Sequence, residues 1–273
     1  MTDLAHDGGA ERLRVTPRVT LRVTLWQHAS DLDPAANLAA LDRVADLADG
    51  ADLVVLPEAF ARDFGDPGSD LGPYAEPLDG PFARRLDELA AAHDVAVLAG
   101  MFERSGSDRP FNTLVLAGPG LRAAYRKIHL YDSFGYRESD ALTAGPTQPV
   151  TAEVGGFRIG LMTCYDLRFP ELGRALSAEG VDVLVVPAAW VAGPGKVMQW
   201  QTLLRARAIE NVCWVVAAAQ PGPRYCGHSM VVSPTGEVVA EAGDGEEVLS
   251  VPLDLTAVRD ARATNPSLAN RRM

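Results

Sequence analysis

The chain has 273 residues, of which 47% are apolar and 22% charged, a balance typical of a globular protein with a sizeable core. Its net charge of −11 argues against nucleic acid or an anionic membrane as the main partner. No apolar run reaches the ~18 residues that span a bilayer, and three scattered cysteines fit neither a disulfide framework nor a zinc knuckle, which predicts a reducing, cytoplasmic setting.

The N-terminal stretch MTDLAHDGGAERLR is polar and lacks the apolar segment of a secretory signal. We therefore expect residues 1–16 to form a flexible extension. Residues 17–273 contain neither an internal repeat nor a low-complexity linker, so we interpret them as one domain.

Short β-rich runs alternate with helical patterns along that domain. The predicted strands are 19–27, 52–57, 95–100, 112–117, 157–163, 182–187, 212–219, 229–233 and 247–253. The predicted helices are 34–48, 81–93, 170–179 and 197–210. Strands separated by helices indicate an α/β fold.

Three residues at the ends of such runs are candidates for one reactive site. Glu58 ends the strand-like run DLVVLPE, Lys127 lies in YRKIHLYD, and Cys164 follows the strand FRIGLMT at a turn toward a helix. Ligands of α/β folds bind at the carboxyl ends of strands. Each residue also has a structural interpretation, because a free cysteine is usually a buried apolar residue and a lone Glu or Lys is usually solvated.

Cysteine, carboxylate and lysine make chemical sense as a unit. A free cysteine is mostly thiol at neutral pH, so it needs a base or a cation nearby to react as a thiolate. A carboxylate can accept the proton, and a lysine can stabilise the oxygen of a tetrahedral intermediate. Spacing alone does not establish that the three residues meet in space.

Five segments of the chain resemble the nitrilase, or carbon–nitrogen hydrolase, superfamily. They are LPEAF, YRKIHLYD, GLMTCYDLRFPEL, VPAAWVAGPGKVMQW and the hairpin-like GHSMVVSPTGEVVAEAG. Their order and spacing carry the resemblance, with 69 positions from Glu58 to Lys127 and 37 from Lys127 to Cys164. CYDLRFPEL looks like the branch that contains omega-amidase and deaminated-glutathione amidase.

The resemblance implies a four-layer α-β-β-α sandwich with two mixed β-sheets. It also implies a homodimer or higher homo-oligomer, with 170–179 and 197–210 as the dimer-facing helices. The implied enzyme is an amidase for a small carboxylate-bearing amide that needs no metal or other cofactor. The five His residues are dispersed and suggest no metal-ligand cluster.

The resemblance assigns catalytic roles to four residues. Glu58 is expected to take the thiol proton as Cys164 attacks the amide carbonyl, giving a thioester that water then hydrolyses. Lys127 and the backbone N–H of Tyr165 are expected to hold the oxyanion. Glu138, in the loop FGYRESDALTAG, is expected to orient Lys127 or the water, although an exposed loop acid is the alternative.

Five residues are candidates for substrate binding: Tyr131, Phe134, Tyr165, Arg168 and Trp190. The guanidinium of Arg168 suits a substrate carboxylate, although it could equally connect a helix to the dimer interface. The aromatic residues could equally be packing residues. Gln199 departs from the family pattern, in which His often precedes the Trp, so the substrate of a named member does not transfer directly.

Two other functions remain open. An N-carbamoyl amine or amino-acid amidohydrolase would use the same fold and the same residues. A non-catalytic binding or scaffold protein is the alternative of another class, but it has no physical need for glutamate, lysine and cysteine together.

Overall fold

The computed structural model describes residues 19–272, so the expected extension at residues 1–16 lies outside the described part of the chain. The strands are β1 (Thr20–Gln27), β2 (Leu53–Val55), β3 (Ala96–Glu103), β4 (Phe111–Gly118), β5 (Leu121–Arg126), β6 (Asp132–Ser133), β7 (Tyr136–Arg137), β8 (Thr151–Val154), β9 (Phe157–Leu161), β10 (Val183–Val185), β11 (Trp214–Ala217), β12 (Met230–Val232), β13 (Val238–Glu241) and β14 (Glu247–Asp254). The α-helices are α1 (Pro34–Ala40), α2 (Val44–Leu47), α3 (Pro81–His93), α4 (Pro170–Ala178), α5 (Lys196–Asn211) and α6 (Leu255–Thr264).

Every predicted strand and helix is present, with bounds that differ by a few residues. The predicted helix 34–48 is α1 and α2 joined by a 3-10 turn, Leu41–Arg43. Its start follows the sequence signal, because the Asp33 side chain accepts the backbone N–H of Ala35 at 2.9 Å just before the helical proline. No helix in residues 19–272 combines the length and the apolar character needed to cross a bilayer.

Two six-stranded mixed sheets form the centre of the fold. The first has the order β14-β1-β2-β3-β4-β5, with β1, β2 and β3 parallel and the other neighbours antiparallel. The second has the order β13-β12-β11-β10-β9-β8, with β9, β10 and β11 parallel. The β12–β13 hairpin is the one expected from GHSMVVSPTGEVVAEAG.

The two sheets pack face to face between layers of helices. One apolar cluster joins inward residues of both sheets, such as Leu25 and Leu161, and it extends to Leu176 of α4 and Leu204 of α5. A second cluster packs the outer face of the first sheet against α1 to α3. Burial of this apolar surface is the main favourable term for folding. The predicted four-layer α-β-β-α sandwich is confirmed.

This topology brings the ends of strands from both sheets to one place. Glu58 follows β2 and Lys127 follows β5, which runs in the same direction as β2 because β3–β4 and β4–β5 are both antiparallel. Cys164 follows β9 of the other sheet. The candidate residues therefore converge where the carboxyl ends of both sheets meet.

Candidate active site

All nine residues predicted for the site line one cavity of about 670 Å³. These residues are Glu58, Lys127, Tyr131, Phe134, Glu138, Cys164, Tyr165, Arg168 and Trp190. The structure thus brings together every residue that the sequence nominated, while their individual roles stay predictions.

Both oxygens of the Glu58 carboxylate are held by buried donors. Oε2 accepts the backbone N–H of Ala189 at 2.7 Å, and Oε1 accepts the side-chain amide of Asn112 at 2.7 Å. The tight turn that carries Glu58 lies against Gly100, where a Cβ would come within 2.4 Å of the backbone nitrogen of Ala59. Gly100 is therefore needed for the close approach that positions the carboxylate.

Lys127 lies between two carboxylates. Its Nζ donates to Oε1 of Glu58 at 2.9 Å and to Oε2 of Glu138 at 2.9 Å, and all three side chains are at most 2% exposed. Burial opposes the charged amine, but the charges of Glu138 and Glu58 outweigh it and hold the pKa of Lys127 well above its ordinary value. The lysine is therefore a cation at neutral pH.

Glu138 is buried rather than an exposed loop acid. Its Oε2 also accepts the backbone N–H of Tyr131 at 2.6 Å. Burial raises the pKa of Glu138 above its ordinary value, while Lys127 opposes that shift and the charge of Glu58 reinforces it. Two carboxylates thus share one lysine in a water-poor environment.

Cys164 is the first residue of a 3-10 turn, Cys164–Arg168, and has a φ of 45°. A positive φ is unfavourable for a side chain with a Cβ, and backbone strain of this kind clusters at active sites. Asp166 fixes the turn, because its Oδ2 accepts the N–H of Thr163 at 2.9 Å and its own N–H donates to the carbonyl of Thr163 at 2.9 Å. The Cys164 N–H donates to the carbonyl of Pro187 at 2.9 Å.

The thiol of Cys164 is held in its protonated form. Burial raises the pKa of Cys164 well above its ordinary value, the charge of Glu58 and a hydrogen bond to that carboxylate raise it further, and Lys127 opposes the shift. The resting group is therefore a thiol beside a carboxylate rather than a free thiolate.

Asp166, which is fully buried, connects the cysteine turn to the segment around Lys127. Oδ2 accepts the hydroxyl of Tyr125 at 2.6 Å and the N–H of Thr163 at 2.9 Å. Oδ1 accepts the backbone N–H of His129 at 3.0 Å and lies 2.7 Å from its ring Nδ1. This carboxylate ties the loops of the two sheets together at the site.

Aromatic residues and two cations form the outer part of the cavity. The carbon at the centre of the Arg168 guanidinium lies 4.9 Å from the ring centroid of Trp190, and Arg168 Nη2 donates to Oε1 of Gln199 at 2.7 Å. Gln199, the departure from the family pattern, therefore holds Arg168 at the cavity. The second cation is Lys196, whose Nζ donates to the hydroxyl of Tyr131 at 3.1 Å.

The residues of the site that were not nominated from the sequence include Asn112, Asp166 and Lys196. Asp166 had a signal, since Thr163 and Asp166 have the spacing of a capping box. Asn112 and Lys196 had none, because a polar residue at the start of a strand or a helix is normally exposed. In residues 19–272, no group of three or more His, Cys, Asp and Glu side chains has a metal-site arrangement.

Comparisons with known proteins agree on one family. A carbon–nitrogen hydrolase family model matches residues 22–263. The chain is 42% identical over 271 residues to Hydrolase Rv0480c of Mycobacterium tuberculosis, covering 92% of this chain and 95% of that protein. It is 41% identical over 223 residues to a deaminated glutathione amidase of Escherichia coli O157:H7, covering 81% and 84%.

A solved structure shows the same similarity in three dimensions. An amidase of Nesterenkonia sp. AN1 from the nitrilase superfamily superposes with a TM-score of 0.78 at 32% identity, over 94% of this chain and 95% of that one. In that structure the acetamide moiety of fluoroacetamide is covalently added at the active-site cysteine.

Proposed function

The chain belongs to the carbon–nitrogen hydrolase family, and we propose that it is a cysteine-dependent amidase that acts on a small carboxylate-bearing amide through a thioester at Cys164. Its resemblance to the deaminated-glutathione amidase branch is confirmed by a relative of that name. The family and its members that are named amidases support an amidase activity. The mechanism and the substrate are our proposal.

One observation carries the proposal: Glu58, Lys127 and Glu138 are hydrogen-bonded together in the cavity that Cys164 lines. Burying a lysine between two carboxylates costs free energy unless every charged group of the cluster has a hydrogen-bonding partner. A catalytic role explains why the chain retains this cluster next to a cysteine with a strained backbone.

In the acylation step, the Glu58 carboxylate accepts the thiol proton while Sγ of Cys164 forms a bond to the amide carbonyl carbon. The electron pair of the C=O bond moves to oxygen, and the cation of Lys127 stabilises that oxyanion. The raised pKa of the thiol supports a transfer that accompanies attack rather than one that precedes it.

The oxyanion also needs a hydrogen-bond donor on the side of the cysteine. The N–H of Tyr165 occupies the second position of the 3-10 turn, where a helix offers no acceptor of its own. When the tetrahedral intermediate collapses, the C–N bond breaks and protonated Glu58 gives its proton to the leaving nitrogen. Ammonia or an amine departs, and the acyl group remains on Cys164 as a thioester.

In the deacylation step, Glu58 accepts a proton from water as the water oxygen attacks the thioester carbonyl. The C–S bond then breaks, the thiol regains its proton, and the product is a carboxylic acid. Glu138 holds Lys127 at 2.9 Å and thereby orients the cation for both steps. The steps use side chains and backbone groups of this chain, and the expectation that no cofactor takes part stays a prediction.

The preference for a carboxylate-bearing amide is supported by Arg168, because a guanidinium at the cavity wall suits a carboxylate. The amidase relative with deaminated glutathione in its name supports the same class. We also propose that the protein works in the cytoplasm as a homodimer or higher homo-oligomer through α4 and α5, which pack against each other outside the second sheet.

The test is ammonia release from α-ketoglutaramate, deaminated glutathione, aliphatic amides, carbamoyl amines and a nitrile, with wild type and Cys164→Ala. Cys213→Ala is the matched control, since Cys213 is also a buried free cysteine but lies outside the cavity. We expect wild type and Cys213→Ala to release ammonia from the carboxylate-bearing amides and Cys164→Ala to release none. A preference for carbamoyl compounds favours the amidohydrolase alternative. If folded protein turns over none of these compounds, the substrate stays open and the scaffold alternative gains support.

A further inference from the structure

Of the 25 Lys and Arg residues in the chain, only two are lysines, and both line the cavity. The others are all arginines. Lys127 belongs to the cluster with the two glutamates, whereas Lys196 has no part in the steps above. A lysine offers a compact ammonium with three donors, which an arginine does not reproduce.

The ammonium of Lys196 is buried against aromatic rings. Its side chain comes from the first residue of α5 and is 9% exposed. Nζ lies 3.7 Å from the ring centroid of Phe134 and 5.9 Å from that of Trp190, and it donates to the hydroxyl of Tyr131. Cation–π contacts stabilise such a charge only in part.

Arg168 lies against the same two rings. The central guanidinium carbon is 5.7 Å from the Phe134 centroid and 4.9 Å from the Trp190 centroid. Its Nη2 donates to Gln199, but its Nε is buried without any acceptor. Two cations therefore share one aromatic-lined end of the cavity.

Neither cation has a carboxylate partner. No Asp or Glu in residues 19–272 forms an ion pair with Lys196 or Arg168. Glu58 and Glu138 are engaged by Lys127, and Asp66, the other acid that lines the cavity, is exposed and forms no ion pair with either cation. A buried ammonium beside a half-buried guanidinium is unfavourable without an anion, so a negatively charged ligand is the missing partner.

Resting on the proposed function, we propose that Lys196 is a specificity-determining residue that binds the substrate's carboxylate together with Arg168. One carboxylate bridges the ammonium and the guanidinium, while the amide group reaches Cys164. Tyr131 and Phe134 position the ammonium, and Gln199 positions the guanidinium. The site thereby favours amides that carry an anionic group at the end remote from the scissile bond.

The test measures binding to Cys164→Ala protein by calorimetry, so that turnover does not interfere. The probes are succinamate, glutaramate and adipamate, each compared with the uncharged amide of equal chain length: butyramide, pentanamide and hexanamide. Cys164→Ala is expected to bind at least one anionic probe about tenfold or more tightly than its neutral counterpart. Adding Lys196→Met should reduce that preference about tenfold and leave neutral-amide binding within about threefold.

Lys196→Arg should keep only part of the preference, because it retains the charge but not the compact ammonium. Arg205→Met is the matched control, since Arg205 is an exposed cation of the same helix outside the cavity. If Lys196→Met does not fold, Lys196→Gln serves the same comparison. The proposal is overturned if no anionic probe is preferred, or if the preference survives in folded Lys196→Met or Lys196→Gln.

The binding result is independent of the proposed reaction. Failure of the proposed function would appear as an absence of ammonia release by wild type from every amide. Even in that case, calorimetry still shows whether the protein binds anionic amides more tightly than neutral ones, and whether removal of the Lys196 charge abolishes this preference.

Discussion

The side-chain amide of Asn112 donates a hydrogen bond of 2.7 Å to Oε1 of Glu58. The same nitrogen lies 3.4 Å from Oε1 of Glu138, so one amide bridges the two buried carboxylates. Asn112 stands at the start of β4, and its carbonyl accepts the N–H of Lys127 at 2.8 Å. Asn112 therefore positions both Glu58 and Lys127.

We predict that Asn112→Leu lowers kcat/KM about 10- to 100-fold, because Glu58 and Glu138 each lose a donor. The fold should persist, since the buried Oδ1 of Asn112 has no hydrogen-bond partner and its removal offsets part of the lost bonding. Steady-state kinetics and thermal unfolding check both parts. Unchanged kinetics in folded Asn112→Leu would show that the bridge has no role in catalysis.

The protonation of Cys164 leads to a second prediction. Burial and then the Glu58 carboxylate raise the pKa of the thiol above its ordinary value of 9.0. Glu58→Gln removes the charge, so the pKa should fall and the thiolate fraction at pH 8 should rise. Alkylation by iodoacetamide should then be faster than in wild type, while kcat falls at least about 100-fold because the general base is lost.

Cys213→Ala and Cys226→Ala form the background for that measurement, so that Cys164 is the sole thiol. Slower alkylation of Glu58→Gln across pH 7 to 9 would contradict the assigned electrostatics. Equal kcat in Glu58→Gln and wild type would separately exclude Glu58 as the base.

The residues of the candidate site could be nominated from the sequence because their motifs keep a fixed order and spacing. The strands β5, β6, β7 and β8 and helix α6 were not predicted, and β13 was expected only as part of the hairpin-like segment GHSMVVSPTGEVVAEAG. β5, LRAAYR, is short and mixed in polarity because it is the edge strand of its sheet. β13 is largely exposed, so it lacks an apolar pattern.

The sequence did not reveal the roles of Lys196 and Asn112, and the reason differs from that for the edge strands. Their functions depend on what they contact across the fold: Lys196 meets Tyr131, 65 positions earlier, and Asn112 meets Glu58, 54 positions earlier. Hydrophobic periodicity reports only which face of an element is buried, and it does not report which polar groups meet across the core.

Phe134 provides a prediction that separates stability from binding. Phe134 and Gly135 form the two-residue turn of the β6–β7 hairpin, and both have a positive φ, which favours Asn over Phe. The ring is 67% exposed and covers the ammonium of Lys196. Phe134→Asn should therefore unfold at an equal or higher temperature but show a higher KM for anionic amides.

Phe134→Leu is the companion variant, since it keeps the backbone strain and an apolar side chain but removes the π face. It should raise KM for anionic amides without a gain in stability. If both variants leave KM unchanged, the ring does not contribute to substrate binding.

Gly100 provides a prediction about the support of Glu58. An added Cβ would overlap the backbone of the Glu58 turn, so Gly100→Ala should destabilise the fold by about 1–3 kcal/mol and lower kcat in the protein that folds. Gly118→Ala is the matched control within the neighbouring strand, because its Cβ would make ordinary contacts of 3.5 Å. Equal effects of the two substitutions on denaturant unfolding and kcat would refute the close-approach explanation.

The central claim is that Cys164 carries the acyl group during turnover. Wild-type protein is mixed with the amide that it hydrolyses fastest, quenched in acid within the first turnovers, digested and analysed by mass spectrometry. We predict the mass of the acyl group on the peptide that contains Cys164, with no such adduct at Cys213 or Cys226 and none in Cys164→Ser. Turnover by Cys164→Ser at the wild-type rate, or an acyl group on a residue other than Cys164, would contradict the account.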